Sequence, residues 1–248
     1  NKPSIAKDFK DDGYRTLAVH SSFAVSEAFG FNRDFDIYEN FEGKMKLINP
    51  EQGGGVAWDV KHLQRRSDET TDLALETLDG TGKDPFFMWM HYWDPHDPVL
   101  KPPSEFIEDI EFRNQHLPFV DQTPIDEHWD KFYAREVNYL DQQIGRLIDG
   151  LKERGLYENT VIVITADHGE GLSDGNARHN WPSHRHVYQE QVHVPLLMRA
   201  PSLPKGVVID SVATTADIAP TILDLAGFEI PEVDGHSLRS AWQGEESE

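Results

Sequence analysis

The sequence predicts an α/β fold built on a mainly parallel, mixed sheet flanked by helices. Almost wholly apolar runs, Phe86–Trp93 and Val161–Ile164, read as strands covered on both faces. These runs alternate with segments of helical spacing, the pattern of strands joined by helical crossovers. Both runs also end in Asp, His, Pro or Gly, at the carboxyl ends where open α/β sheets bind ligands.

Taken in order, Ile5, Ala6 and Phe9 predict a helix between Pro3 and Asp12, stopped at Gly13, and Tyr14–His20 a strand. Residues 23–55 read as irregular, because Gly30, Asn32, Asp34 and Asp36 break any period and Gly53, Gly54 and Gly55 mark a turn. Val60, Leu63, Leu73, Leu75 and Leu78 predict a helix from Val56 to Leu78, closed by Gly80. After the Phe86–Trp93 strand, Pro95 and Pro98 restrict the backbone on either side of His96. Residues 99–128, rich in Pro and acid, read as a surface excursion.

Phe132, Val137, Leu140, Ile144, Leu147, Ile148 and Leu151 step by threes and fours, the clearest helical period in the chain, ending near Gly155. That helix feeds the Val161–Ile164 strand, whose unbroken β-branched run predicts a central position. Val192–Met198 and Val207–Val212 read as further strands. Thr215–Ala226 reads as a helix with an internal Pro220, stopped by Gly227, and Glu245–Glu248 as an acidic tail. The 248 residues suffice for one substantial α/β domain spanning the chain.

With 44 acidic and 23 basic residues the formal charge is −21, which argues against nucleic acid or an anionic membrane as partner. The excess of carboxylates would keep a surface hydrated in strong brine, an expectation that equal thermal stability in dilute and molar salt would refute. There is no cysteine, hence neither a disulfide framework nor thiol chemistry within these residues. No apolar run reaches transmembrane length.

Chemistry concentrates at Thr160–Gly171, TVIVITADHGEG. Asp167 supplies charge and hard oxygen and His168 a borderline nitrogen, a pair suited to a divalent cation. The plainer alternative is a helix-capping Asp beside a loop His.

Several motifs in order extend this reading: Gly30-Phe31 with Phe35-Asp36, PFFMWMHYWDPHDP from Pro85, and the stretch from Tyr139 through TADHGEGL. HRHVYQEQVHVPLLMRAP from His184 and TTADIAPTILDLAGFEIPEVDGHSL from Thr214 complete the set. Together they resemble the sulfatase family of the alkaline phosphatase superfamily. The resemblance implies an alkaline-phosphatase-like sheet and a hydrolase of sulfate or related phosphate esters. It implies one divalent metal, usually calcium, held by strand-end aspartates and an Asp-Asn or Asp-His pair.

By motif position Asp167 and His168 match that metal pair, and His96 a histidine that contacts the sulfate group or its leaving oxygen. His184 and His186 fall where the family carries a His or Lys near the leaving group, with Arg185 standing where glycine is common. The family nucleophile is a formylglycine made from a Cys/Ser-x-Pro-x-Arg motif. Ser202-Leu203-Pro204-Lys205-Gly206 comes nearest here and fails at its last position. The expectation is therefore that the first strand or strands and the formylglycine lie outside these residues, on an N-terminal or companion segment. An edge left open in this way favours insolubility or a homo-oligomer, and the chain alone is expected to be inactive.

The implied substrate is a small sulfate ester or a sulfated carbohydrate. Trp89, Tyr92, Trp93 and Trp181 are candidates to stack on a sugar, although aromatics in a strand commonly serve the core. His91 and His193, within apolar runs, read as core residues, and His20, His179 and Arg185 as lesser candidates for substrate contact. Two alternatives stay open. One is a phosphodiesterase or phosphonate monoester hydrolase of the same superfamily, using zinc or manganese. The other is a non-catalytic ester-binding remnant.

Overall fold

Ser4 caps the first helix, α1 (Ile5–Asp11), by accepting the N–H of Lys7 on its hydroxyl, and Ala6 and Phe9 form its buried stripe. The computed structural model describes residues 4–40, 46–48, 55–57, 64–82, 84–96, 129–172 and 187–243. These group into two compact units, Asn1–Gly150 with Ser173–Asn176 and Leu151–Leu172 with Ala177–Glu248.

In the first unit, β1 (Arg15–His20) is the middle of a three-stranded parallel sheet between β2 (Ile37–Glu39) and β5 (Phe86–His91). Its register runs Leu17 to Ile37 on one side and Arg15 to Phe86 through His20 to His91 on the other. Leu17, Ala18 and Val19 are fully buried, as a run covered on both faces requires. Phe9 of α1 stacks on Phe87 with ring centroids 4.7 Å apart and meets Tyr14 edge-on.

Two expectations change here. Within the stretch read as irregular, Ile37–Glu39 forms β2, three residues too short to carry a period and held by pairing to β1. The helix expected from Val56 begins later. Gly55–Ala57 is β4, antiparallel to β3 (Lys46–Ile48), and α2 runs Ser67–Asp79. Val60 and Leu63 lie outside the described residues, as do the 99–128 excursion and the acidic tail. The long helix, α3, spans Trp129–Glu153 as its period predicts, and its Tyr139 is buried.

The second unit takes the last turn of α3 and pairs β6 (Ile162–Thr165) antiparallel with β7 (Leu196–Arg199). Within this unit β6 is half-exposed and not covered on both faces. Arg199 ties the turn ahead of β6 by donating to the carbonyls of Thr160 (2.8 Å) and Tyr157, its guanidinium lying 4.2 Å over the Tyr157 ring.

The strand expected at Val192–Met198 is shorter. Gln189–Val192 is instead a single helical turn, α4, and Pro195, with no N–H to give a ladder, precedes β7. Val207–Val212 forms no strand. Val207, Val208 and Val212 are exposed, and β-propensity without a neighbour to pack against does not make one. A turn of 3₁₀ helix, Thr215–Asp217, opens α5 (Ile218–Ala226), where Pro220 falls in the first turn and Gly227 closes the helix at φ 85°. A last short helix, α6, covers Arg239–Gln243. Among the described residues no helix is long and apolar enough to cross a membrane.

Candidate active site

His96 closes a single 3₁₀ turn, Asp94–His96, just past the carboxyl end of β5. Its N–H donates to the Trp93 carbonyl (2.9 Å), and its imidazole stacks on the Trp93 indole with centroids 3.8 Å apart. The ring's plane is thereby set by packing. Asp94, 1% exposed, accepts the N–H of Ser67 on Oδ1 (3.1 Å) and the Ser67 hydroxyl on Oδ2 (2.5 Å). Burial raises the Asp94 pKa against the lowering effect of those bonds.

Around the same strand ends, His20 is fully buried and its Nδ1–H donates to the Ser22 carbonyl at 2.9 Å. Burial, with smaller contributions from Arg65 and His91, pulls its pKa down to about 4, so it is a neutral core residue at pH 7. Arg65 donates to the carbonyls of His20 (3.0 Å) and Asn40 (3.3 Å), fastening the loop after β1.

The aromatic candidates do not form one wall. Trp89, His91 and Trp93 follow one another at 6.0 Å spacing, Trp89 packing on Phe31 and Phe35. Tyr92 instead bonds Thr71 of α2 (2.9 Å), and burial pushes its pKa up to about 12. His91 is half-buried at the end of β5, where a core residue was expected, and His193 is exposed at the end of α4, not in a strand as expected. Trp181, His179, Arg185, His184 and His186 lie outside the described residues.

In the second unit, the strand-to-loop step after β6 carries Asp167 and His168. Asp167 keeps 80% of its side chain exposed and accepts the His168 N–H on Oδ1 at 2.9 Å. The Nδ1 of His168 lies 2.9 Å from the Gly169 carbonyl. A carbonyl only accepts, so this contact places a proton on Nδ1, and Nε2 lies 3.8 Å from Asp167 Oδ1.

Gly169 owes its identity to a close approach. Its N–H donates to the Gln191 carbonyl (2.8 Å), and a Cβ there would lie 2.3 Å from the Glu190 carbonyl oxygen. Among the described residues no group of three or more His, Asp or Glu converges as a cation cage. The pair by itself supplies two donors, fewer than the six to eight that a calcium ion takes.

The sulfatase family model matches residues 1–228, nearly the whole chain. The chain belongs to the sulfatase family. It is 36% identical over 115 residues to an N-acetylglucosamine-6-O-sulfatase of Bacteroides thetaiotaomicron, covering 46% of the chain and 20% of that protein. It is 30% identical over 210 residues to a low-salt glycan biosynthesis sulfotransferase of Haloferax volcanii, covering 80% of the chain and 50% of that protein. The chain thus spans between 20% and 50% of the length of these curated relatives.

A solved phosphonate monoester hydrolase of Silicibacter pomeroyi superimposes on the whole chain and 62% of its own length, with TM-score 0.70 and 25% identity. The sulfatase fold is therefore the α/β architecture of parallel sheet and flanking helices read from the sequence. The reading of the sequence missed Asp94 and Ser67. A signal was available: α2 begins Ser67-Asp68-Glu69 behind Arg66, with no capping side chain of its own, so its cap had to come from elsewhere in the chain.

Proposed function

We propose that this sulfatase-family chain is a portion of a metal-dependent sulfuric ester hydrolase. In this reading it holds part of the metal site, through Asp167 and His168, and the contacts to the sulfate group and its leaving oxygen. The observation that carries the proposal is the setting of His168: its Nδ1–H donates to the Gly169 carbonyl at 2.9 Å, with Nε2 3.8 Å from the exposed carboxylate of Asp167. Metal-ligating histidines are commonly oriented in this way, one ring N–H held by a backbone carbonyl while the other nitrogen faces the metal.

A bound divalent cation, calcium in this reading, would supply positive charge against the oxygens of the sulfate group. The chain's own residues do the rest. His96, clamped on Trp93, orients the sulfate or gives a proton to the ester oxygen as its bond to sulfur breaks. His184 or His186 supports that proton delivery by motif position. The nucleophile, a formylglycine, belongs to a segment or companion polypeptide beyond these residues. A sulfated carbohydrate is the favoured substrate, since one relative is named for N-acetylglucosamine 6-O-sulfate hydrolysis.

The test is an assay of the full-length gene product on 4-nitrophenyl sulfate and glucosamine 6-sulfate, with metal content measured alongside. Sulfate release with one calcium-like ion supports the proposal. The likeness to the phosphonate monoester hydrolase favours one second reading, hydrolysis of a phosphonate monoester or phosphodiester. Turnover of a phenylphosphonate monoester with two zinc- or manganese-like ions would replace the first reading by the second. Ligand binding without turnover in the full-length product would favour a non-catalytic remnant.

A further inference from the structure

The helix α2 does not cap itself. Its N-cap is Arg66, which offers no side-chain acceptor, and the N–H and hydroxyl of Ser67 both go to the carboxylate of Asp94, 27 residues further along the chain. Asp94 and Ser67 are 1% and 0% exposed, so water does not compete for these bonds. A carboxylate at this position also meets the positive end of the helix dipole.

The consequence for the candidate site is geometric. Asp94 opens the one-turn 3₁₀ helix that His96 closes, and Pro95 between them removes most of the remaining backbone freedom. At the other end of the turn the His96 N–H and imidazole are both held by Trp93. The turn is thus pinned at one end to α2 and at the other to the indole, and its single imidazole has little room to wander. Arg66, whose guanidinium lies 5.3 Å over the Tyr139 ring, ties the same helix start to α3.

We propose that Asp94, through Ser67, is a positioning residue for His96: it locks the turn to the start of α2 so that the imidazole is held in its working orientation. The inference rests on the proposed role of His96 in ester hydrolysis, and its tests separate the two.

In the full-length protein, Ser67→Ala and Asp94→Asn should each lower kcat on 4-nitrophenyl sulfate about tenfold or more, with KM held within about twofold. Combined with His96→Ala, either should add less than about threefold to the loss, because residues acting as one unit are not additive. Ser67→Thr, which keeps both donors, should retain most of the activity.

A readout independent of turnover is the His96 ring signal in histidine-selectively ¹⁵N-labelled protein, assigned through His96→Gln. It should shift and broaden in Asp94→Asn while the other histidine signals hold. Fully additive losses, or an unchanged His96 signal in both Asp94→Asn and Ser67→Ala, would overturn the inference. If the wild-type protein turns over no ester, the proposed function fails and the ring signal alone decides the positioning role. Should Asp94→Asn melt early, the milder Ser67→Ala carries the test.

Discussion

One carboxylate oxygen of Asp217 receives His236 twice, the backbone N–H at 3.0 Å and the ring Nδ1 at 3.1 Å. The other oxygen takes the N–H and hydroxyl of Thr214, at 2.7 and 2.9 Å, closing a capping box. Thr221, bonded to the Asp217 carbonyl, accepts the Leu238 N–H, so the start of α5 fastens the segment after it.

Removing that carboxylate should cost stability. Asp217→Ala leaves the part-buried N–H groups of Thr214 and His236 without their acceptor, and an expected loss of about 1–2 kcal/mol follows, since water reaches both donors. A urea unfolding series measures it, and a midpoint within error of the wild type would show that water replaces the carboxylate. Burial raises the Asp217 pKa, but the bonds from His236 and Thr214 outweigh it and hold it low. Its contribution is therefore present above the ordinary carboxylate range and lost as pH falls below about 4.

Gly169→Ala should disturb the Asp167–His168 loop, because the new methyl meets backbone and not a movable side chain. Cation affinity of the full-length protein, titrated calorimetrically with Ca²⁺, is expected to fall roughly tenfold or more. Asp167→Ala should abolish the binding. Wild-type affinity in both variants would remove the pair from the metal site.

His20 supplies a pH signature. Its folded pKa, about 4, lies below the 6.5 of a free imidazole, so the unfolded chain binds the proton more readily between those values. Stability is full above about pH 6.5 and should decline by about 2–3 kcal/mol as pH falls to 4. Urea midpoints of wild type and His20→Gln across this range test it. Equal slopes for the two proteins would acquit His20.

Much of the architecture was legible locally. The apolar steps of α1 and α3, the β-branched or aromatic content of β1 and β5, and the stops at Gly13 and Gly227 all survive in the structure. These features rest on neighbours within a few residues. β2 did not show, because three residues become a strand only through their pairing with β1. The start of α2 was misplaced because the carboxylate that caps it comes from beyond the next strand.

The sequence by itself determined the fold class, the family and the residues worth suspecting, because periodicity and motif order are written along the chain. Only the tertiary structure decided the surroundings of the suspects among the described residues. It turned His20 into a buried neutral base, set the proton of His168 on Nδ1 and made Gly169 a contact with Glu190. The reason is physical: tautomer, pKa and close approach depend on burial and on partners contributed by other turns and strands, which residue order does not specify.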